Sequence, residues 1–328
     1  MSSRLAKTEK PCLALSLGDP GGIGPEVAAK ALADRSLARA AHWVVCGSPA
    51  SVPKALQAVL APRAGLSWVA LPDAGRWRLG RPSAASGALA AQAVRAGARL
   101  ALSGQALALV TAPLSKEALR LAGEPWPGHT EMLAQLCGLR PQQVGMLLAG
   151  GGLRVFLVTR HLSLRRAIDS LSPQAVVEAA RLAGKGLAQR FGLKEPRLAL
   201  AALNPHAGEA GAFGDEEERV LAPALRRLRQ DQGFSVQGPY AADTVFVKAL
   251  RGEFDAVLCL YHDQGLIPLK LLAFDSGVNA TLGLPFARTS PDHGTAFDIA
   301  GRGIADPGSM KAAMRMALDM AARQGRGR

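Results

Sequence analysis

The sequence is poor in aromatic residues, which make up 5% of its 328 positions. That excludes the array of stacking platforms by which single-stranded nucleic acid is held. Its four cysteines, Cys12, Cys46, Cys137 and Cys259, lie far apart with no C-x-x-C pair. A zinc knuckle and a dithiol redox motif are thereby excluded, and each cysteine reads as a small buried hydrophobe in a reduced compartment. No window approaches the roughly 18 uninterrupted apolar residues of a membrane span. The apolar stretch 12–17 is too short for a signal-peptide core, so a cytoplasmic protein with no membrane contact is expected. Acidic residues are also few: 26 Asp and Glu stand against 39 Lys and Arg, a formal balance of +13. The excess arginines are scattered and no groove-reading motif accompanies them, so small anions are the expected partners and nucleic acid is not.

Apolar residues are abundant, at 48%, as are glycines, at 36. Short β-rich runs alternate with Ala/Leu/Arg helices. Strands are expected over 13–17, 43–46, 107–111, 155–159, 198–203, 256–260 and 278–282, and helices over 25–33, 84–102, 173–190 and 310–323. This alternation predicts an α/β fold on a mostly parallel sheet. Residues 1–125 with 275–328 are read as one lobe and 126–274 as the other.

The first loop, Gly18-Asp19-Pro20-Gly21-Gly22-Ile23-Gly24-Pro25-Glu26, joins a strand to a helix. It is neither a dinucleotide G-x-G-x-x-G fingerprint nor a P-loop, and it serves either as an anion cradle or as a packing device. His161, His206 and His262 follow three different expected strands. They either converge as an open His₃ site for Zn²⁺ or a similar ion, or remain separate loop histidines. Asp243 and Asp263 are placed to orient such a histidine or to move a proton, Asp243 equally to cap the helix that follows it. Lys270, Asn279 and Arg288 suit recognition of a phosphate or carboxylate. Lys270 lies in the apolar stretch 266–274, which calls for an anionic partner. The polar, glycine-broken stretch 292–307 is longer than a linker requires.

The first loop and the stretch 293–307 together resemble the metal-dependent β-decarboxylating dehydrogenases of the isopropylmalate and isocitrate class. Further motifs narrow the resemblance: Thr111-Ala112-Pro113-Leu114-Ser115-Lys116, Pro127-Gly128-His129-Thr130-Glu131, Asn204-Pro205-His206-Ala207-Gly208-Glu209, Tyr261-His262-Asp263-Gln264-Gly265 and Gly277-Val278-Asn279-Ala280-Thr281-Leu282-Gly283-Leu284-Pro285. They are similar to those of the 4-hydroxythreonine-4-phosphate dehydrogenase family of pyridoxal phosphate (vitamin B6) biosynthesis. Gly21, where many relatives carry Ala, and the run Gly150-Gly151-Gly152 depart from the pattern without removing a functional group.

The resemblance implies an isopropylmalate dehydrogenase-like α/β/α sandwich, two lobes with a cleft between them. It implies a homodimer in which His161, His206 and His262 hold a divalent metal (Zn, Mg or Co) at a site shared between subunits. Substrate contacts fall on His129, Thr130, Lys270, Asn279 and Arg288, and NAD contacts on His293, Gly294, Thr295, Ala296 and Asp298. The carboxylate of Asp298 favours NAD over NADP. Lys116, Asp243 and Asp263 are the candidate acid/base groups. The implied reaction oxidises the 3-hydroxyl of 4-phosphohydroxy-L-threonine and then decarboxylates it to 3-amino-2-oxopropyl phosphate. Relatives that oxidise D-threonate or D-erythronate 4-phosphate, or aromatic cis-dihydrodiols, share the architecture, as do phosphate-dependent acyltransferases. A basic nucleic-acid-binding protein is the composition-level alternative.

Overall fold

The computed structural model describes residues 10–73 and 75–324. Eleven strands form one sheet: β1 (Cys12–Ser16), β2 (His42–Gly47), β3 (Leu66–Ala70), β4 (Ala108–Thr111), β5 (Gly145–Gly150), β6 (Leu153–Leu157), β7 (Arg197–Ala201), β8 (Ser235–Tyr240), β9 (Ala256–Cys259), β10 (Val278–Leu282) and β11 (Ala287–Pro291). Their order is β3-β2-β1-β4-β11-β10-β5-β6-β9-β7-β8. The flanks are parallel, as the βαβ alternation predicts, but the centre is not. β10 pairs antiparallel with both β11 and β5, and β5 antiparallel with β6. Three reversals in succession leave the two flanking halves running in opposite directions.

Seven of the eleven strands coincide with the expected ones; β3, β5, β8 and β11 do not. β5, Gly-Met-Leu-Leu-Ala-Gly, is bounded by glycine at both ends. β11, Ala-Arg-Thr-Ser-Pro, is polar yet buried along its whole length. Polar residues at the centre of a sheet defeat a reading by hydrophobicity, because burial there is sustained by side-chain hydrogen bonds.

The long helices follow from local chemistry. Pro173–Phe191 opens with Ser172 accepting from the Ala175 N–H and with Pro at its first turn, and closes on Gly192 in the left-handed region at φ +69°. Ala84–Leu102 opens with a reciprocal Ser83–Ser86 capping box.

On one face of the sheet a single core runs across both halves, from Leu15 and Val45 through Leu147, Phe156 and Ala280 to Leu198 and Leu258. The helices Gly24–Leu32, Pro173–Phe191 and Gly308–Gln324 cover it. On the other face the core is divided. One cluster gathers Ala14, Val94, Leu109 and Met132 under the helices Ala84–Leu102 and His129–Leu136. The other gathers Leu148, Val155, Val257 and Leu269 under Val245–Leu250 and His262–Ala273. The interruption between these clusters is where a cleft opens.

Phe156, 1% exposed in the continuous core, packs over Gly145 of the central strand β5. Phe156→Ala should cost roughly 3–5 kcal/mol, read as a lower urea midpoint. A shift under about 1 kcal/mol would mean that the core holds together without it.

Candidate functional site

A cavity of about 950 Å³ occupies the interruption. Because the halves run in opposite directions, it draws on the ends of β4 and β11 from one side and on the ends of β6 and β9 from the other. Pro113 and Lys116 follow β4, Asp292 to Gly294 follow β11, Val158 to His161 follow β6, and His262 opens the helix after β9. The floor is the sheet itself. Asn279 and Arg288 pair across β10–β11 with Ser290 and Thr281, so all four project from one face.

Arg288 is the centre of the floor and is 2% exposed. Its Nη1 donates to Thr281 Oγ1 at 2.9 Å and its Nη2 to Thr111 Oγ1 at 2.7 Å, while Nε is buried without a partner. Among the described residues it has no ion pair. Burial pulls the guanidinium down to about 9, opposed by the more distant charge of Glu131. Beside it, His129 Nε2 is buried and unpartnered, and burial together with Arg288 holds the ring well below its ordinary value, hence neutral. Asn279 Oδ1, Arg160 Nη1 and His293 Nε2 are likewise buried without partners. Thus five of the eight such atoms among the described residues line this one cavity. Buried polar atoms are costly to leave unpaired, so their convergence marks a place where a polar ligand completes the bonding.

Thr130 is buried in the same wall. Lys270 is not buried as its apolar setting suggests: the stretch is helical and turns Lys270, Ile267, Leu271 and Phe274 outward. It nonetheless has the anionic partner, Asp292 Oδ2 at 3.8 Å. Burial raises the Asp292 carboxyl, against the pull of Lys270, His262 and His293.

His161 and His262 come together at the cavity rim, with ring centroids 5.5 Å apart. His161 sits at φ +44°. His262 Nδ1 and Asp263 Oδ1 are 2.7 Å apart, which places Asp263 as the orienting carboxylate and leaves Nε2 for a ligand. Lys116 also lines the cavity, and its charge, after burial, helps lower His161. His206 is elsewhere, in the left-handed turn Pro205–Gly211 with its ring 6.2 Å from Phe213. Among the described residues of one chain no three His, Cys, Asp or Glu groups lie close enough to hold a metal ion. Asp243 is exposed and outside the cavity, and its capping role goes to Thr244, which makes no side-chain cap bond.

The first loop packs directly on the stretch after β11. The Ile23 N–H donates to the Thr295 carbonyl at 2.9 Å, and a Cβ on Gly22 would lie 2.7 Å from that oxygen. Gly22 is therefore a close-approach glycine. The other three unpartnered buried atoms, Ser16 Oγ, Asp19 Oδ2 and Glu26 Oε2, belong to this loop and its flanks. Asp19 Oδ1 accepts from the Gly21 N–H at 2.8 Å. A second cavity of about 330 Å³ lies between Gly22, Pro25, Ser51, Trp77, Leu79 and Gly301. Ala296 turns at φ +41° and Asp298 is exposed. Here hydrogen-bonding atoms and an adjoining hollow suit an elongated polar cofactor.

Arg160, Thr111 and Thr281 were not singled out by sequence. Each lies within or beside a recognised motif, but the hydroxyls of Thr111 and Thr281 gain their role only from β11, the polar strand between β4 and β10 that carries Arg288, and Arg160 gains its role from the fold bringing the end of β6 to the cavity.

The molecule falls in the class of α/β/α sandwiches in which a cleft crosses an antiparallel centre of the sheet. Within that class the chain belongs to the family described as "Pyridoxal phosphate biosynthetic protein PdxA", whose model matches residues 29–317. A 4-hydroxythreonine-4-phosphate dehydrogenase of Desulfosudis oleivorans is 44% identical, over 95% of this chain and 97% of its own. The crystal structure of the enzyme of that name from Klebsiella pneumoniae superposes with a TM-score of 0.84 at 41% identity, covering 95% and 98% of the two chains. A terephthalate 1,2-cis-dihydrodiol dehydrogenase from Burkholderia xenovorans follows at 33% identity and 0.65, covering 95% and 98%.

His129 and His161 both sit below their ordinary value of 6.5. The folded chain therefore resists protons that the unfolded chain accepts below about pH 6.5. Their contribution is fully present above that pH and is lost as pH falls below it. His129→Asn should shrink the difference in urea midpoint between about pH 7.5 and about pH 5; an unchanged difference would show a solvated ring.

Proposed function

We propose that the chain is an NAD-dependent dehydrogenase that oxidises the 3-hydroxyl of 4-phosphohydroxy-L-threonine and decarboxylates the product to 3-amino-2-oxopropyl phosphate. The observation that carries this reading is Arg288, a buried guanidinium without a carboxylate, ringed by unpartnered polar atoms. A substrate with a phosphate at one end and a carboxylate at the other needs such donors. Arg288, neutral His129, Thr130 and Asn279 form the inner set, and Lys270 stands at the rim. In the first step the C3–H bond breaks and the hydroxyl proton leaves, and NAD, when bound, would supply the hydride acceptor. In the second the bond to the carboxylate breaks, CO₂ departs and its electron pair is retained by the carbonyl system, which is then protonated. Lys116 Nζ in the cavity and the Asp263 carboxylate at its rim are placed to carry protons, Asp263 being engaged by His262.

His161 and His262 fit two imidazole ligands of a divalent ion (Zn, Mg or Co), the second oriented by Asp263, and His206 of a second copy would supply the third. When bound, the ion supplies Lewis acidity at the substrate hydroxyl and at the developing negative charge. Support for a second copy comes from the helix His262–Ala273, which exposes Ile267, Leu271 and Phe274 by 61%, 83% and 75%. These positions share one helix face, and covering it brings another subunit beside His262. The segments 1–125 with 275–328 then act as the cofactor-side lobe and 126–274 as the metal and dimer lobe. His293, Gly294, Thr295 and Ala296 would line the NAD path, with Asp298 repelling a 2′-phosphate.

NADH formation from 4-phosphohydroxy-threonine tests the reading. Turnover should exceed that with threonate or erythronate 4-phosphate, prefer NAD to NADP, stop with chelator and return with a divalent ion. Arg288→Met should lower kcat/KM roughly 30-fold or more. No NADH from any of these substrates would overturn the proposal.

The shared site has its own test. His161→Ala and His206→Ala chains should each be inactive, yet mixing and re-associating them should restore about one quarter of native activity, because half the dimers carry one intact site. No recovery would place all ligands within one chain.

A further inference from the structure

On the face of the sheet opposite the cleft, a cavity of about 570 Å³ lies where the β5–β6 hairpin meets the helices Pro173–Phe191 and Gly308–Gln324. Its edge is the run Gly150-Gly151-Gly152, with Gly151 and Gly152 at φ +57° and +84°. Four guanidinium groups line it, Arg154, Arg190, Arg315 and Arg323, against one carboxylate, Asp319. Arg315 is paired with Asp34 at 3.4 Å. The other three have no ion pair among the described residues.

Each of these three has a local contact that leaves most of its donors free. Arg190 donates Nη2 to the Leu284 carbonyl at 2.7 Å. Arg154 donates Nη1 to the Asp255 carbonyl at 3.3 Å and lies 5.4 Å from the Phe191 ring centroid. Arg323 lies over Gly192, where a Cβ would meet its Nη1 at 2.5 Å. A guanidinium carries five N–H donors, so a surplus remains around one hollow. Burial lowers Arg190 without an acid to oppose it. Phe191, Val278, Met316 and Met320 supply an apolar wall. The volume falls within the range of small-molecule sites, about 300–1,000 Å³.

We propose that this cavity is a second ligand site that takes an organic phosphate, its phosphate on Arg154, Arg190 and Arg323 and its apolar body on Phe191, Met316 and Met320. Guanidinium forks match phosphate oxygens in pairs, and three of them around one hollow suit a dianion better than a single carboxylate. The site shares no lining residue with the catalytic cleft.

Calorimetric titration of the full chain with phenyl phosphate tests this independently of the catalytic reading. Binding that survives Arg288→Met should weaken about tenfold or more in an Arg154→Ala/Arg323→Ala double variant, whose kcat and KM should stay native-like. Met316→Glu, which sets a carboxylate beside the arginines, should weaken it comparably and serves if the double variant is unstable. Inorganic phosphate should bind about tenfold more weakly than phenyl phosphate. Equal affinity for the two would remove the apolar wall from the site. Binding that vanishes in Arg288→Met, or that neither the double variant nor Met316→Glu alters, would overturn the proposal.

Discussion

A positive charge held inside the sheet, with no ion pair among the described residues, is the constraint around which this molecule is arranged. Arg288 is steadied by the hydroxyls of Thr111 and Thr281, which align the guanidinium without neutralising it. An unpaired buried charge is costly, and the cost is tolerable only because the cleft floor leaves room for a ligand anion. Binding and stability are therefore linked: an anion that completes Arg288 stabilises the folded chain by mass action. The same charge keeps His129 neutral, so the neighbouring ring meets ligand as a polar group and not as a second cation.

The antiparallel centre is what makes that placement possible. In a fully parallel open sheet the strand ends offer a site along one edge. Here the three central reversals bring strand ends of both halves to the rims of one cleft, while Asn279 and Arg288 rise from its floor. The first loop reaches the same region from the other end of the chain, through the Ile23 N–H and the Thr295 carbonyl. The close approach at Gly22 thus ties residues about 270 positions apart into one wall.

Much of this was legible from residues. The inner flanking strands β1, β2, β4, β6, β7 and β9 are largely apolar, the long helices open on Ser caps, and both declare themselves by pattern. The histidines and the basic residues stood out because polar groups follow apolar runs. The central strand β11 stayed hidden because it is buried on both faces with polar residues, Arg288 and Ser290 toward the cleft and Thr289 bonded to the Ala313 carbonyl on the core side. Lys270 has the anionic partner its setting called for, but that setting is not interior, since Ile267, Leu271 and Phe274 face outward. The separation of His206 from His161 and His262 is a matter of tertiary distance that spacing along a chain does not contain.

The continuous core on the far side of the sheet has a mechanical meaning. Leu147, Phe156 and Ala280 pack in the same layer as Leu15 and Leu198, so the cleft has an unbroken spine. Close-packed interiors resist compression, and a bending axis near that layer places most of the displacement at the cleft mouth. Widening the mouth then works like flexing a leaf spring: the lips travel far while the spine barely deforms. Opening would then be limited by the stiffness of that one layer, none of whose buried residues lines the cleft.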